Sequence, residues 1–342
     1  MDRQSPERFS HREQAAAAWR TGRALGVEYR QLGRSGLTVS VVGLGCNNFG
    51  GSSSSADVAA YGALDLEQTR AVVDRAYDCG VTLFDTANIY GNGGSETFLG
   101  SILQGRRDSV VLATKWGGGE QPGVAWGSQR YIRDAVEASL RRLGTDYIDL
   151  YQLHWPDPLT PIEETLAALD ELVRAGKVRY VGSSHLSGWE VVHWDWTARN
   201  AGLCRPVSAQ NEYSLLQRDA DTELLPACQQ VGVGLLAYFP LASGLLTGKY
   251  RRDSPAPAGA RLAGRPIDAD VYERLEALES FAGSRGRTLL ELAIGAVASV
   301  DGVDCVVTGA TRPEQIAANV EAVRWCLDYA ELAELSQLTV VA

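Results

Sequence analysis

Only four histidines occur in the 342 residues, no two cysteines form a CxxC pair, and basic residues are outnumbered by acidic ones, 32 to 42. Each shortage narrows the possibilities. The six cysteines, Cys46, Cys79, Cys204, Cys228, Cys305 and Cys326, lie too far apart for a thiolate metal cluster or a disulfide framework. They read as reduced, mostly buried thiols of a cytoplasmic protein, and no metal site is expected. The net charge of -10 argues against nucleic acid or an acidic membrane as partner, because the overall field repels polyanions. The N-terminal stretch "MDRQSPERFSHREQAAAAWRTGRALG" has no long apolar core, so neither a signal peptide nor a membrane span is expected there. No internal repeat stands out, and no Pro-, Gly- or Ser-rich linker divides the chain; "SPAPAGARLAGRP" at 254–266 falls inside a strand-to-helix connection. One domain over residues 29–342, preceded by an extension over 1–28, is therefore expected.

From residue 29 onward, short strand-like apolar runs alternate with longer segments of helical period. The strand candidates are "VVGLG" 41–45, "TLFDTA" 82–87, "VVLATK" 110–115, "IDLYQLH" 148–154, "VRYVGSS" 178–184, "VSAQNE" 207–212, "GVGLLAY" 232–238 and "DCVVTG" 304–309. Helix starts are marked by "TPIEE", with Thr160 as N-cap and Pro161 at the first helical position, and by S/T-x-x-E boxes at "SGWE" 187–190 and "TRPE" 311–314. Eight doubly buried strands, each followed by a helix, predict an α/β fold of the (β/α)8 TIM-barrel type. "YRQLGRSGLTVS" reads as an N-terminal β-hairpin plugging the barrel's lower end, and a further helix closes the C-terminus.

In such a barrel, chemistry sits at the C-terminal ends of the strands. The second candidate strand carries Asp85 and leads to Tyr90, the third ends in Lys115 and the fourth in His154. Singly, each has an ordinary structural explanation; together they suit carbonyl reduction. Hydride addition to a carbonyl leaves an alkoxide that needs a proton, and an ordinary tyrosine is a poorly matched donor. A lysine ammonium nearby lowers the tyrosine pKa, a buried carboxylate keeps that lysine charged, and an imidazole orients the carbonyl oxygen. Trp116, Trp126 and Trp155 follow the third and fourth strands and could wall a pocket for an apolar or aromatic carbonyl compound. The short tail after the last helix predicts an open site of broad specificity.

The segments "GVTLFDTANIYGNGGSE", "VVLATKWG", "RRLGTDYIDLYQLHWPD", "GKVRYVGSSHLSGWE", "QNEYSLL", "FPLASGLLTGKY" and "GATRPEQIAAN" resemble the aldo-keto reductases over about residues 29–338. Within that family the likeness is to bacterial members that resemble potassium-channel β subunits. The resemblance implies a catalytic Asp, Tyr, Lys and His at Asp85, Tyr90, Lys115 and His154, the same four residues selected by strand position.

"GLGCNNFG" at 43–50 is not a Rossmann fingerprint, since Asn48 stands where the third glycine belongs. Its strand-end glycines, Gly45 among them, either let the chain approach bound nicotinamide or simply turn tightly. A better anion site lies late in the chain: Lys249, Arg251, Arg252, Arg261 and Arg265 cluster against Asp253 alone, and "GATRPEQ", from Gly309, opens a helix suited to phosphate. By resemblance, Leu241, Ser243, Leu245 and Lys249 would hold a pyrophosphate, with Arg261 as a clamp. Thr311 and Arg312 would meet an adenosine 2'-phosphate, and Gln315 and Asn319 the adenine, favouring NADPH with NADH possible. The resemblance further assigns Ser184 and Gln210 to the nicotinamide carboxamide and Tyr213 or Tyr238 to ring stacking. His185 stands where the family usually has asparagine, Asn88 where it commonly has aspartate, and Ala318 where many members have glutamate.

The leading expectation is an NADPH-dependent reductase of aldehydes or ketones, acting on a small molecule with Tyr90 as acid. A second is an NADPH-sensing regulatory or docking module with incidental turnover. A third, a barrel aldolase using Lys115 as Schiff-base nucleophile, leaves Tyr90 and the late phosphate site without a role.

Overall fold

The computed structural model describes residues 27–50, 63–118 and 123–339. The N-terminal extension lies outside the described residues up to residue 26. Ten strands and ten α-helices are found among the described residues.

The chain opens with an antiparallel hairpin, β1 (Tyr29–Gln31) and β2 (Thr38–Ser40), in register Arg30 to Val39. Eight parallel strands follow: β3 (Val42–Gly45), β4 (Leu83–Asp85), β5 (Val111–Trp116), β6 (Ile148–Leu153), β7 (Val178–Ser184), β8 (Pro206–Glu212), β9 (Gly234–Tyr238) and β10 (Val303–Gly309). They close into a barrel in sequence order, with β10 pairing β3. This is the expected TIM barrel. Each expected strand is found within a few residues; "TLFDTA", for example, is trimmed to Leu83–Asp85.

Around the barrel run α1 (Leu66–Asp78), α2 (Gly94–Ile102), α3 (Gln129–Leu143), α4 (Ile162–Arg174), α5 (Gly188–Ala201), α6 (Leu224–Val231), α7 (Ala269–Gly283), α8 (Leu289–Ser299) and α9 (Pro313–Ala322). The connection from β9 to β10 holds two helices, and α10 (Tyr329–Thr339) is the extra C-terminal helix. α5 starts as expected, with Ser187 N–H donating to Glu190 at 2.8 Å. Two other caps shift. Pro161, not Thr160, is the N-cap of α4, because the Thr160 hydroxyl is spent on Asp157 at 2.7 Å. Arg312, not Thr311, caps α9, since Gln315 rather than Glu314 reaches back to the backbone N–H groups of Thr311 and Arg312.

The hairpin closes the barrel floor. Leu32, Leu37 and Val39 are buried in one cluster with Leu83, Ala113, Leu150, Leu236 and Cys305, side chains drawn from five barrel strands. The turn is tied to the rim by Gly33 N–H to Asp304 at 2.7 Å and by Arg30, which donates to the carbonyls of Ala298 and Val303. None of the six cysteines is paired; Cys46, Cys228 and Cys305 are buried, while Cys326 is exposed. Among the described residues no helix is long and apolar enough to cross a membrane.

Gly33 has φ +53, and a Cβ there would lie 2.7 Å from the carbonyl oxygens of Gly232 and Val207. Both the left-handed backbone and the contact forbid a side chain. Gly33→Ala is expected to lower unfolding free energy by about 2–3 kcal/mol, measured by denaturant melts.

Candidate active site

β4 and β5 are neighbours, and their ends bring Asp85 and Lys115 together inside the barrel mouth. Both are buried. The Lys115 ammonium donates to Asp85 Oδ2 at 2.6 Å, to the Thr86 carbonyl at 3.0 Å and to Tyr90 Oη at 3.4 Å. The other carboxylate oxygen of Asp85 accepts from Gln210 at 2.9 Å and from Gln152 at 3.3 Å. Burying two charges is costly unless every lone pair and proton finds a partner. Here both groups are satisfied.

Tyr90 begins a 3-10 turn, Tyr90–Gly93, in which Gly91, Asn92 and Gly93 all have left-handed backbone. The tightness is enforced from outside: a Cβ on Gly91 would meet the Phe49 carbonyl at 2.8 Å. Just beyond, Ser95 bonds Thr86 and the Cys46 carbonyl, each at 2.8 Å. Buried Glu96 accepts from Thr114 at 2.6 Å and from Arg142 at 2.7 Å, fastening α2 to β5 and α3. These bonds hold the Tyr90 turn against the barrel.

His154 continues β6, and its ring meets Tyr90 edge-on with centroids 5.7 Å apart. Its Nδ1 is buried without a partner among the described residues. Burial, then the Lys115 ammonium and the neighbouring His185, hold the imidazole well below the usual histidine range. It is neutral at physiological pH. Burial lowers the Lys115 ammonium, but Asp85 and Tyr90 outweigh it and the net direction is up. Tyr90 departs from expectation: burial raises the phenol and outweighs the lowering by Lys115, so it is held above, not below, the ordinary tyrosine value.

Asp85, Tyr90 and His154 line a cavity of ≈ 1210 Å³ on the upper face, and Lys115 lies directly behind them. The same cavity is also lined by Lys249, Arg261 and Arg312, which lie near one another. Partial burial and these two arginines pull the Lys249 ammonium down, as like charges held close together do. The loop between is strained, with Phe239, Ala242 and Ser243 at positive φ, a conformation that persists where surroundings impose it and that clusters at ligand sites. Asn319 Nδ2 and Asn48 Oδ1, on the cavity wall, are buried polar atoms without partners among the described residues. A long, polyanionic dinucleotide fits this wall chemically.

Residues 41–339 match the Aldo/keto reductase family. The chain belongs to that family. It is therefore an NAD(P)H-dependent oxidoreductase. Its relatives include a probable voltage-gated potassium channel subunit beta of Arabidopsis thaliana, 36% identical over 87% of this chain and 91% of the relative. A putative subunit of the same kind in Schizosaccharomyces pombe is also 36% identical, over 87% and 89%. An uncharacterized oxidoreductase, YrpG of Bacillus subtilis, is 37% identical over 91% and 96%.

Of the residues expected at the cofactor, Gly45, His185, Gln210, Tyr238, Leu241, Ser243, Lys249, Arg261, Gly309, Thr311, Arg312, Gln315 and Asn319 line the cavity. Three do not line it. Ser184 is fully buried and donates to the Gln210 carbonyl at 2.8 Å. Tyr213 is also buried, its hydroxyl bonded to Asp221, so Tyr238 is the tyrosine the cavity presents. Leu245 packs into the hydrophobic cluster of α7 and α8. Gln315 faces the cavity, but its carbonyl oxygen is occupied by Thr311 and Arg312.

The tryptophans divide as well. Trp116 is core, fully buried and stacked on Tyr151 at 4.5 Å, and Trp126 supports the rim. Trp116 Nε1 donates to the Trp126 carbonyl and Trp126 Nε1 to the Trp155 carbonyl, which leaves Trp155 alone on the cavity wall. In the basic run, Arg251 and Arg252 turn away to pair with Glu279 and Glu276 of α7. Gln152 went unrecognised in the sequence; its signal was a lone amide at an inward position of "IDLYQLH".

A histidine held neutral by burial makes stability fall with acid, because below about pH 6.5 the unfolded chain takes up a proton that the folded one refuses. Stability is expected to decline as pH drops below that value, with a shallower decline in His154→Gln, read from denaturant melts across pH.

Proposed function

We propose that the protein reduces aldehydes or ketones to alcohols with NADPH, reversibly, and that Tyr90 supplies the proton. The observation that carries this reading is the Tyr90 hydroxyl, 3.4 Å from the ammonium of the satisfied Lys115–Asp85 pair and edge-on to neutral His154, in a cavity that Lys249, Arg261 and Arg312 also line. A bound nicotinamide supplies the hydride. His154, uncharged, orients the carbonyl oxygen toward Tyr90. Burial keeps the phenol protonated until that oxygen gains charge. Tyr90 then gives up its proton, and Lys115 stabilises the tyrosinate left behind. Asp85 keeps Lys115 charged and aimed throughout.

Arg312, with Lys249 and Arg261 near it, supports NADPH over NADH, since a guanidinium gains a bidentate partner in the additional phosphate. Gln210 would meet the nicotinamide carboxamide and Tyr238 the ring; Asn319 would meet the adenine. Trp155 offers an aromatic wall to the substrate in a wide-mouthed site of broad specificity. The cysteine pattern favours the cytoplasm. The relatives named as potassium-channel β subunits favour a second reading, a NADPH-sensing docking module with incidental turnover.

A panel of aromatic and aliphatic aldehydes, followed by loss of reduced-nicotinamide absorbance, separates the two. Tyr90→Phe is expected to lower kcat by about 100-fold or more while NADPH binding, read by fluorescence, is unchanged. Binding by both proteins with turnover by neither would support the module instead. Arg312→Ala is expected to weaken NADPH about 10- to 100-fold and NADH little, measured by titration calorimetry.

A further inference from the structure

His185 is one of five non-glycine residues with left-handed backbone among the described residues, at φ +60, where β7 ends. Its ring makes contacts on every side. Nδ1 lies 2.8 Å from the His154 carbonyl and 2.9 Å from Ser184 Oγ, and Nε2 lies 2.9 Å from Tyr238 Oη. A carbonyl only accepts, so Nδ1 carries the proton. Ser184 gives its own hydrogen to the Gln210 carbonyl and therefore offers Nδ1–H a lone pair. Nε2 is then the acceptor for the Tyr238 hydroxyl. Burial, and the Lys115 charge, favour this neutral form over the imidazolium, against the His154 carbonyl.

With both nitrogens engaged, the ring face has one role left. It stacks on the Trp155 indole at 3.5 Å between centroids, 15° from parallel. Trp155 is nevertheless 42% exposed and lines the cavity, so part of the indole is left open to a ligand. The backbone carbonyl of Trp155 is held by Trp126, and the His185 ring packs closest on the indole, with His154 5.9 Å away.

We propose that His185 is a positioning residue that sets Trp155 as a flat shelf at the cavity mouth, and that this shelf selects planar aromatic carbonyl compounds over aliphatic ones. The selection rests on the carbonyl-reductase reading above. The ring links three elements: Tyr238 at the end of β9, His154 at the end of β6 and Trp155 beyond it. A side chain without a flat ring leaves the indole unsupported, and a planar ligand must then order it on binding, which appears in KM rather than kcat.

The test compares 2-naphthaldehyde with butanal in wild type, His185→Asn, Trp155→Ala and the double variant. Asparagine tolerates left-handed backbone and keeps an amide donor for the His154 carbonyl, but has no ring. In His185→Asn, assayed at saturating NADPH, the naphthaldehyde-to-butanal ratio of kcat/KM is expected to fall about five- to tenfold, through the KM for naphthaldehyde. The double variant should fall no further than Trp155→Ala. Equal losses for both aldehydes, or an unchanged ratio, would overturn the proposal.

Two further measurements do not depend on turnover. In protein labelled with 15N-histidine, the signals lost in His185→Asn should report a neutral ring protonated at Nδ1; protonation at Nε2 would overturn the positioning of His185 on which the proposal stands. Saturation-transfer NMR should show 2-naphthaldehyde on the wild-type NADP+ complex, which has no hydride to transfer, and a weaker signal in His185→Asn. If no protein reduces either aldehyde, the reductase reading fails, while these two signals still decide for or against the shelf.

Discussion

A lysine ammonium is held inside a parallel barrel, and the polar interior of the upper barrel is arranged around it. Such a charge must be paired and fully hydrogen-bonded, or it loses its proton. Asp85 supplies the counter-charge, and its second oxygen requires Gln152 and Gln210, one strand beyond β5 and three strands beyond it. The carbonyl of Thr86 and the hydroxyl of Tyr90 complete the ammonium's shell. Four strands, β4, β5, β6 and β8, thus contribute to one network, which explains why polar residues interrupt otherwise apolar strands at those positions.

The same constraint reaches outward. Tyr90 meets Lys115 only because a turn of three left-handed residues delivers it, and that turn keeps its shape because Ser95 and Glu96 tie the following helix to the barrel. Away from the ammonium, Lys249, Arg261 and Arg312 line the same cavity, and Arg251 and Arg252, close by in sequence, pair with Glu279 and Glu276. Three basic residues thus share one cavity wall in a protein that is acidic as a whole.

Strand position alone singled out Asp85, Tyr90, Lys115 and His154, and the structure brings them together, because a closed parallel barrel leaves its strand ends on one rim. Composition could not sort the tryptophans: Trp116 and Trp155 follow the same pattern, yet one is core and the other is wall, since the chain turns at Gly117 and Gly118 after one and stays on the rim after the other. Tyr213 and Tyr238 were equally plausible until Asp221 was seen to hold the first. The net direction of the Tyr90 shift was also hidden. Residue types give the sign of each neighbour's effect, but burial, which outweighs Lys115 here, is a property of packing.

Sequence by itself determined the barrel, its hairpin floor, the family and the rim on which the chemistry sits, because these follow from periodicity, turn residues and strand order, all of which are local. Tertiary structure decided which polar groups share protons. Gln152 and Gln210 lie 67 and 125 residues from the carboxylate they serve, and His185 brackets Tyr238 from 53 residues away. No local pattern encodes a hydrogen bond over such separations; it exists only once the barrel has closed.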